Sequence, residues 1–153
     1  MMTSQTNFSV RSASWQEDKE QLMRIRHQVF VLEQQVPIEL ESDSYDQSSW
    51  YVLAESSDAE PIACARLQKN GKVTRIAVLK NWRRQGVARA MLTRLIETAA
   101  QHQIEPLYLH AQLSAISLYL EFGFTQTGEQ FEEAGITHIK MTRHANDQSL
   151  GHS

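Results

Sequence analysis

The chain has 153 residues, 41% of them hydrophobic, which fits one globular domain and excludes a disordered chain. Its net charge of −3 argues against a dedicated nucleic-acid-binding protein, and no apolar run reaches the roughly 20 residues of a membrane-spanning helix. The N-terminus lacks a secretory pattern and Cys64 is the single cysteine, so we expect a cytoplasmic protein.

The first predicted elements lie at the N-terminus. Phe8 and Val10 alternate with polar residues, which predicts a short strand. Ser14 and Glu17 match a capping box, and the apolar residues that follow at helical spacing predict a helix over residues 15–32. Pro37 ends the regular structure, and an acidic loop is predicted from residue 39 to residue 49.

The rest of the chain alternates strands and helices. Further strands are predicted at residues 50–54, 62–67, 73–79, 106–111, 124–131 and 136–142. Asn70-Gly71 is a strong hairpin signal. A long helix begins near Val87, and a short one near Ala115 ends at Gly123. The apolar face of the long helix consists of Val87, Met91, Leu92, Leu95, Ile96 and Ala99.

This order of elements predicts a mixed α/β sheet with helices on both faces. Three consecutive strands with tight turns favour an antiparallel meander, and the strand–helix–strand unit over residues 73–111 favours a parallel pair. We expect one domain over residues 1–143 and a polar, disordered tail over residues 144–153.

Charge is segregated along the chain. Residues 27–65 contain eight acids and no Lys or Arg, whereas residues 66–96 contain nine bases and no Asp or Glu. A cationic block in an acidic protein suggests a polyanionic ligand, and a solvated basic face is an equal alternative. An acidic block of this kind more often forms a solvated face, although it would also suit a cationic ligand.

The junction between the strand at 73–79 and the long helix has the features of an anion site. A helix start exposes unpaired backbone N–H groups, and the small residues Gly86 and Ala88 let a phosphate approach them. Arg83, Arg84 and Arg89 add positive charge. The sequences typical of a P-loop and of a Rossmann dinucleotide site are both missing from the chain.

These residues carry a family resemblance. Arg83-x-x-Gly86-x-Ala88 resembles the Q/R-x-x-G-x-G/A signature of the GCN5-related N-acetyltransferases (GNAT), and Tyr119 to Phe124 resembles their Y-x-x-x-G-F. The stretch from Arg26 to Pro37 is similar to the opening of the small bacterial ElaA/YjcF-like acetyltransferases. The resemblance covers about residues 7–142.

The resemblance implies a GNAT fold, in which a central parallel pair of strands splays to hold coenzyme A, and it implies acetyl-CoA as acyl donor. Backbone groups of the strand would pair with the pantetheine, and the loop amides would hold the pyrophosphate. The cofactor-binding residues implied in this way are Ile76, Ala77, Val78, Arg83, Arg84, Gln85, Gly86, Val87, Ala88, Arg89 and Gln112.

The reaction implied by the resemblance is direct attack of a primary amine on the thioester. Tyr119 would protonate the leaving thiolate, with a core tyrosine as the alternative, and the Val78 amide would polarise the carbonyl. His110 is a candidate general base or a structural histidine. Glu33, Glu41 and His138 are candidate contacts of the acceptor.

The expected partner is a small-molecule or peptide amine, with no nucleic acid and no membrane. The six histidines lack metal-ligand spacing, so we expect no metal. A homodimer stays open. The alternative function is a non-catalytic acyl-CoA-binding sensor or interaction module of the same fold.

Overall fold

The computed structural model describes residues 7–145, which form two β-sheets joined at one edge. Most of the predicted tail, from residue 146 onward, lies outside the described residues. The strands are β1 (Phe8–Ala13), β2 (Trp50–Ser56), β3 (Pro61–Leu67), β4 (Val73–Val78), β5 (Leu107–Gln112), β6 (Thr125–Glu133) and β7 (Ile136–Arg143). The α-helices are α1 (Trp15–Arg26), α2 (Ile38–Glu41), α3 (Val87–Gln101) and α4 (Ile116–Glu121).

The first sheet has the order β1-β2-β3-β4 and the second has the order β5-β7-β6, with antiparallel pairing throughout. The predicted mixed α/β fold is confirmed. The parallel neighbours β4 and β5 touch at a single bridge, Lys72–Tyr108, before they part. Gly71 makes this contact possible, because a side chain there would collide with the carbonyl oxygen of Pro106.

Two apolar clusters cover the two faces of the first sheet. The predicted face of α3 packs on one side, together with Met141 of β7 and with Phe124, which precedes β6. Helix α1 packs on the other side through Leu22 and Ile25. Strand β3 is buried on both faces, as expected for a central strand. Within residues 7–145, no helix has the length and apolarity to cross a membrane.

The N-terminal helix differs from its prediction in two ways. Ser14 Oγ accepts from Glu17 N–H as expected, but Ser14 N–H donates to Asp18 Oδ2 rather than to the Glu17 side chain. The predicted helix over residues 15–32 is α-helical to Arg26 and then continues as a π-helical segment, His27–Glu33. In that segment Gln34 N–H bonds Val29 O, five residues earlier.

The predicted acidic loop is partly helical. It contains α2 and a 3-10 turn, Ser44–Ser48, capped by Asp43. Its carboxylates meet two arginines that are almost fully buried, Arg26 and Arg66 (0% and 1% exposed). We call this group the arginine–carboxylate cluster, and its members are Arg26, Glu41, Asp43, Asp46 and Arg66.

Asp46 lies at the centre of the arginine–carboxylate cluster. Its Oδ1 is 2.8 Å from Arg26 Nη1 and 2.7 Å from Arg66 Nη1, and Tyr51 donates its hydroxyl to the same oxygen. Arg26 also bonds Glu41, and Arg66 bonds Asp43 at 2.7 Å. Burial alone would raise the pKa of Asp46, but the hydrogen bonds and charges of its partners lower it to about 2.

We expect Asp46→Asn to lower the free energy of unfolding at pH 7 by about 3 kcal/mol, because it leaves two buried guanidinium groups without a shared carboxylate. The folded pKa of Asp46 lies below its unfolded value of about 3.9, so its contribution is complete above about pH 5 and is lost as the pH falls toward 2. Urea unfolding at pH 7 and pH 3 should therefore show a smaller difference between variant and wild type at pH 3.

Asp58→Asn is the control, because Asp58 is exposed in a turn and makes no ion pair in the described chain. Equal effects of the two substitutions at pH 7 would contradict this role of Asp46.

Candidate active site

A cleft of about 270 Å³ lies where β4 parts from β5, at the start of α3. Strand β4 contributes Val78, the loop after it contributes Trp82, Arg83 and Arg84, and α3 contributes its first residues. Ser117, Leu118 and Glu121 of α4 form the opposite wall. The cleft therefore joins the strand, the loop and the helix that the sequence assigns to one cofactor.

The loop between β4 and α3 presents a helix start to this cleft. Gly86 has a φ of 86° and caps α3 without any side-chain hydrogen bond. The first helical bond runs from Ala90 N–H to Gly86 O, so the amides of residues 87–89 have no partner within the helix. A Cβ at Gly86 would meet no atom within 4 Å, which leaves open space for an anion. This geometry fits a phosphate group.

Three other residues at the junction of the loop and α3 were also predicted to bind the cofactor. Val87 packs its side chain in the core, so its amide is the group that faces the cleft. Gln85 is exposed and bonds Asn81 O through its side chain. Ala88 lines the cleft next to the unpaired amides.

The two arginines of the loop and the arginine in the first turn of α3 have different surroundings. Arg83 makes a bidentate pair with Glu33, with both distances 2.6 Å, and its Nε donates to Val78 O at 2.9 Å. Arg89 makes a bidentate pair with Glu121 at 3.0 and 2.9 Å. Hydrogen bonding to Arg83 lowers the pKa of Glu33, so both groups of that pair are charged at neutral pH. Arg84 lines the cleft with a φ of 63°.

Strand β4 offers its free edge to the gap between the sheets. Two residues of β4, Arg75 and Ile76, oppose Ala65 in a β-bulge, and Arg75 has a φ of 55°. Beyond the bulge, Leu79 N–H bonds Ile62 O. Because bonded and non-bonded pairs alternate, Val78 turns its N–H and C=O toward the gap, as does Ile76.

The third residue of the predicted pantetheine edge is oriented differently. Ala77 is in register with Cys64, so its backbone groups face β3 and its methyl group lies in the core. We therefore expect the cofactor to use the backbone groups of Ile76 and Val78 and to pass Ala77 without a hydrogen bond.

Tyr119 lies on α4 with 8% of its surface exposed and packs edge-on against Phe124. No residue of 7–145 hydrogen-bonds its hydroxyl, and the hydroxyl keeps some contact with solvent. Burial raises the pKa of Tyr119 to about 12, so the phenol is protonated at neutral pH. Tyr119 therefore belongs to the core, as the alternative interpretation of a core tyrosine predicted. Its hydroxyl group is also available to donate a hydrogen bond.

One face of the second sheet gathers the rings of His110, Phe131 and His138. His110 Nδ1 is 2.9 Å from Glu133 Oε1, and its ring meets Phe131 edge-on at 4.9 Å. His138 stacks on Phe131, and its Nδ1 bonds Ile136 O at 2.7 Å. Gln112, at the end of β5, is in register with His138. The two predicted histidines thus share one surface, with Phe131 between them.

The carboxylates proposed for the acceptor have protein partners. Glu41 is buried and bonded to Arg26, and Glu33 is paired with Arg83. Neither side chain offers a free charge to an acceptor in this structure. The described residues contain no cluster of three His, Cys, Asp or Glu side chains placed to hold a metal ion.

Sequence reasoning did not find Glu121, Glu133 or Phe131. Glu121 stands between Tyr119 and Gly123 in the matched motif, so its proximity to Tyr119 was the available signal. Phe131 was predicted to lie at the end of a strand, and Glu133 in the turn after it. Only the register of β6 with β7 shows that both lie close to the histidines.

Comparison with known proteins agrees with this geometry. The profile of the acetyltransferase (GNAT) domain matches residues 13–145. The chain belongs to the GNAT acetyltransferase family. It is 32% identical over 130 residues to the protein ElaA of Escherichia coli, with 80% of this chain and 84% of ElaA covered. It is also 32% identical over 123 residues to the uncharacterized N-acetyltransferase YjcF of Bacillus subtilis, covering 78% of this chain and 87% of YjcF.

Solved structures show the same GNAT fold. The crystal structure of Escherichia coli ElaA superposes with a TM-score of 0.79 at 28% identity, covering 89% of this chain and 99% of ElaA. An acyl-CoA N-acyltransferase from Pseudomonas aeruginosa gives a TM-score of 0.80 at 26% identity, with the same coverage. The family resemblance predicted from the motifs is therefore confirmed, including the ElaA/YjcF-like subgroup.

We expect Gly86→Ala to lower the free energy of unfolding by about 1 kcal/mol, because the left-handed conformation penalises a Cβ while the space around it is open. Gly135→Ala is the matched substitution, since Gly135 has a φ of 77°, equally open surroundings and a position in the β6–β7 turn. Urea unfolding should give similar losses for both. A loss of several kcal/mol for Gly86→Ala alone would show that the space is not open.

Proposed function

We propose that this GNAT domain transfers an acetyl group from acetyl-CoA to a primary amine by direct attack. The observation that carries the proposal is the cleft, which runs from the free backbone edge of Val78 to the uncapped start of α3 at Gly86. Pantetheine would add to the β4 edge as a strand does, and the pyrophosphate would meet the amides of residues 87–89 with Arg84 and Arg89 beside it.

The residues around the gap have complementary roles in this reaction. The nitrogen of the amine forms a bond to the carbonyl carbon while the carbon–sulfur bond breaks, so the amine must lose a proton and the thiolate must gain one. Val78 N–H faces the gap and stabilises the negative charge on the carbonyl oxygen. Gln112 stands at the end of β5, where it can bond the pantetheine.

Tyr119 acts on the leaving group. Burial raises the pKa of its phenol to about 12, above the roughly 8.5 of a simple thiol, so it stabilises the leaving thiolate by donating a hydrogen bond. Any proton that the phenol gives to the sulfur is replaced from solvent, which also receives the proton released by the amine.

His110 acts on the amine. Glu133 accepts from its Nδ1–H, which leaves Nε2 as the basic nitrogen, directly or through a water molecule. The acceptor is a small-molecule or peptide amine that lies against the ring-bearing face of the second sheet, with His138 and Phe131 as contacts.

We expect Gly86→Glu to abolish coenzyme A binding in calorimetry, because a carboxylate at this position fills and repels the proposed pyrophosphate site. Gly135→Glu is the control, with the same backbone conformation outside the cleft, and should bind as the wild type does. Thiol release from acetyl-CoA across a panel of amines then tests transfer. Binding without release on every amine would favour the acyl-CoA-binding sensor instead.

We expect Tyr119→Phe to lower turnover about 100-fold while the affinity for acetyl-CoA changes less than about twofold, because the proton donor is lost and the ring remains. Thiol release at saturating acetyl-CoA measures the effect. Tyr108→Phe removes a hydroxyl near the closed end of the gap, where the sheets touch, and should keep full turnover. Unchanged turnover in Tyr119→Phe would remove Tyr119 from the reaction.

A further inference from the structure

Arg83 makes three hydrogen bonds within the protein. Nη1 and Nη2 each bond one oxygen of Glu33 at 2.6 Å, and Nε donates to Val78 O at 2.9 Å. A bidentate pair fixes the plane of a guanidinium group as well as its position. The third bond therefore holds one particular peptide carbonyl, and Arg83 links the phosphate loop, the end of β4 and the π-helical segment.

Val78 is the residue whose orientation matters most at the gap. Its C=O points away from β3 and is held by Arg83, and the next amide, Leu79 N–H, is held by Ile62 O on the other side. Val78 N–H lies at the same free edge. The two anchors leave this N–H little freedom to turn, which is what a preorganised donor to a developing oxyanion requires.

Glu33 reaches Arg83 from the last position of the π-helical segment. Winding with i→i+5 bonds changes the angle at which successive side chains leave a helix, so an α-helical continuation would send Glu33 in another direction. Single-turn π-helical insertions are rare and are frequent at functional sites. The unusual winding, the bidentate pair and the Val78 carbonyl thus form one connected unit.

The pair on the opposite wall of the cleft lacks this connection. Arg89 and Glu121 also bond in a bidentate manner, but both lie on helices and Arg89 donates to no backbone carbonyl in the described residues. Their side chains are 56% and 50% exposed, against 36% and 37% for Arg83 and Glu33. A phosphate can therefore replace Glu121 as the partner of Arg89 without disturbing β4. If a phosphate replaced Glu33 as the partner of Arg83, by contrast, the guanidinium group that bonds Val78 O would lose its fixed orientation.

We propose that Arg83 is a positioning residue, clamped by Glu33, which orients Val78 for the thioester carbonyl and does not bind the cofactor phosphates. The assignment deepens the proposed function and rests on it, because it concerns the donor to the carbonyl oxygen. It changes the role that the sequence motif suggests for Arg83 and leaves the phosphates to the helix amides, Arg84 and Arg89.

The two possible roles of Arg83 predict different effects on coenzyme A affinity when its partner Glu33 is substituted. If Arg83 bound phosphate, Glu33→Gln would free it and tighten coenzyme A binding, Arg83→Gln would weaken binding, and Arg83→Lys would restore it, since lysine also binds phosphate. If Arg83 positions Val78, all three variants keep coenzyme A affinity within about threefold. Each then lowers turnover about tenfold, and the double variant Glu33→Gln/Arg83→Gln is no worse than either single variant.

A spectroscopic readout tests the same assignment without an acceptor. In acetyl-CoA labelled with ¹³C at the carbonyl, binding to the wild type should shift the infrared carbonyl band to lower frequency, because Val78 N–H polarises the bond. We expect the band to move back toward its free position in Glu33→Gln and Arg83→Lys. Arg89→Gln is the comparison, with weaker coenzyme A binding and an unchanged band at saturation. Glu97→Gln, an exposed substitution on α3, controls for loss of one negative charge.

The outcomes separate this inference from the proposed function. Failure of the wild type to bind coenzyme A would overturn the proposed function. If the wild type binds coenzyme A, two results would overturn the positioning role alone. One is tighter coenzyme A binding by Glu33→Gln, and the other is an infrared carbonyl band in Arg83→Lys at the wild-type frequency.

Discussion

The parallel bridge between Lys72 and Tyr108 joins the two sheets at one end of β4 and β5, and the site depends on the strands parting beyond it. Gly71 keeps the closed end tight because its backbone lies against the carbonyl oxygen of Pro106. The β-bulge at Arg75 then bends β4, and the unpaired edge at Val78 opens into the cleft. An unpaired strand edge is a liability in a soluble protein unless a ligand or another strand uses it. Its position beside the proposed anion site accounts for an unpaired edge at this place.

The separation of charge along the sequence has a structural cause. Five of the eight acids in residues 27–65 pair with arginines. Three of those arginines, Arg66, Arg75 and Arg83, come from the basic block. These pairs neutralise part of each block and fasten the segment of residues 33–46 to the first sheet. Much of the pattern that suggested two charged ligands is internal pairing, and Arg84 and Arg89 remain the cations of the proposed anion site.

The fold and the conformation of the loop before α3 could be predicted because both are local patterns. A strand, Gly86 and an amphipathic helix follow one another within residues 73–101, and the chemistry of a helix start needs no distant partner. The π-helical segment could not be predicted, because its apolar spacing is close to that of an α-helix. The partners of Arg83 and His110 come from 50 and 23 residues away, so only the folded chain identifies them. The burial of Arg26 and Arg66 was also missed, since charged residues are ordinarily interpreted as surface residues.

The internal pairing also bears on the acceptor. A pocket lined by free carboxylates would hold an ammonium group and raise its pKa, which opposes the loss of a proton that attack requires. On the second sheet, by contrast, the rings of Phe131 and His138 form the surface beside His110, and the carboxylate that touches His110 is bonded to it. Rings remove water from the amine without adding negative charge, so they favour its neutral, nucleophilic form. Arg83 and Arg26 pair with Glu33 and Glu41 and neutralise their charges. In the proposed transfer, this pairing keeps those carboxylates from stabilising the protonated form of the amine.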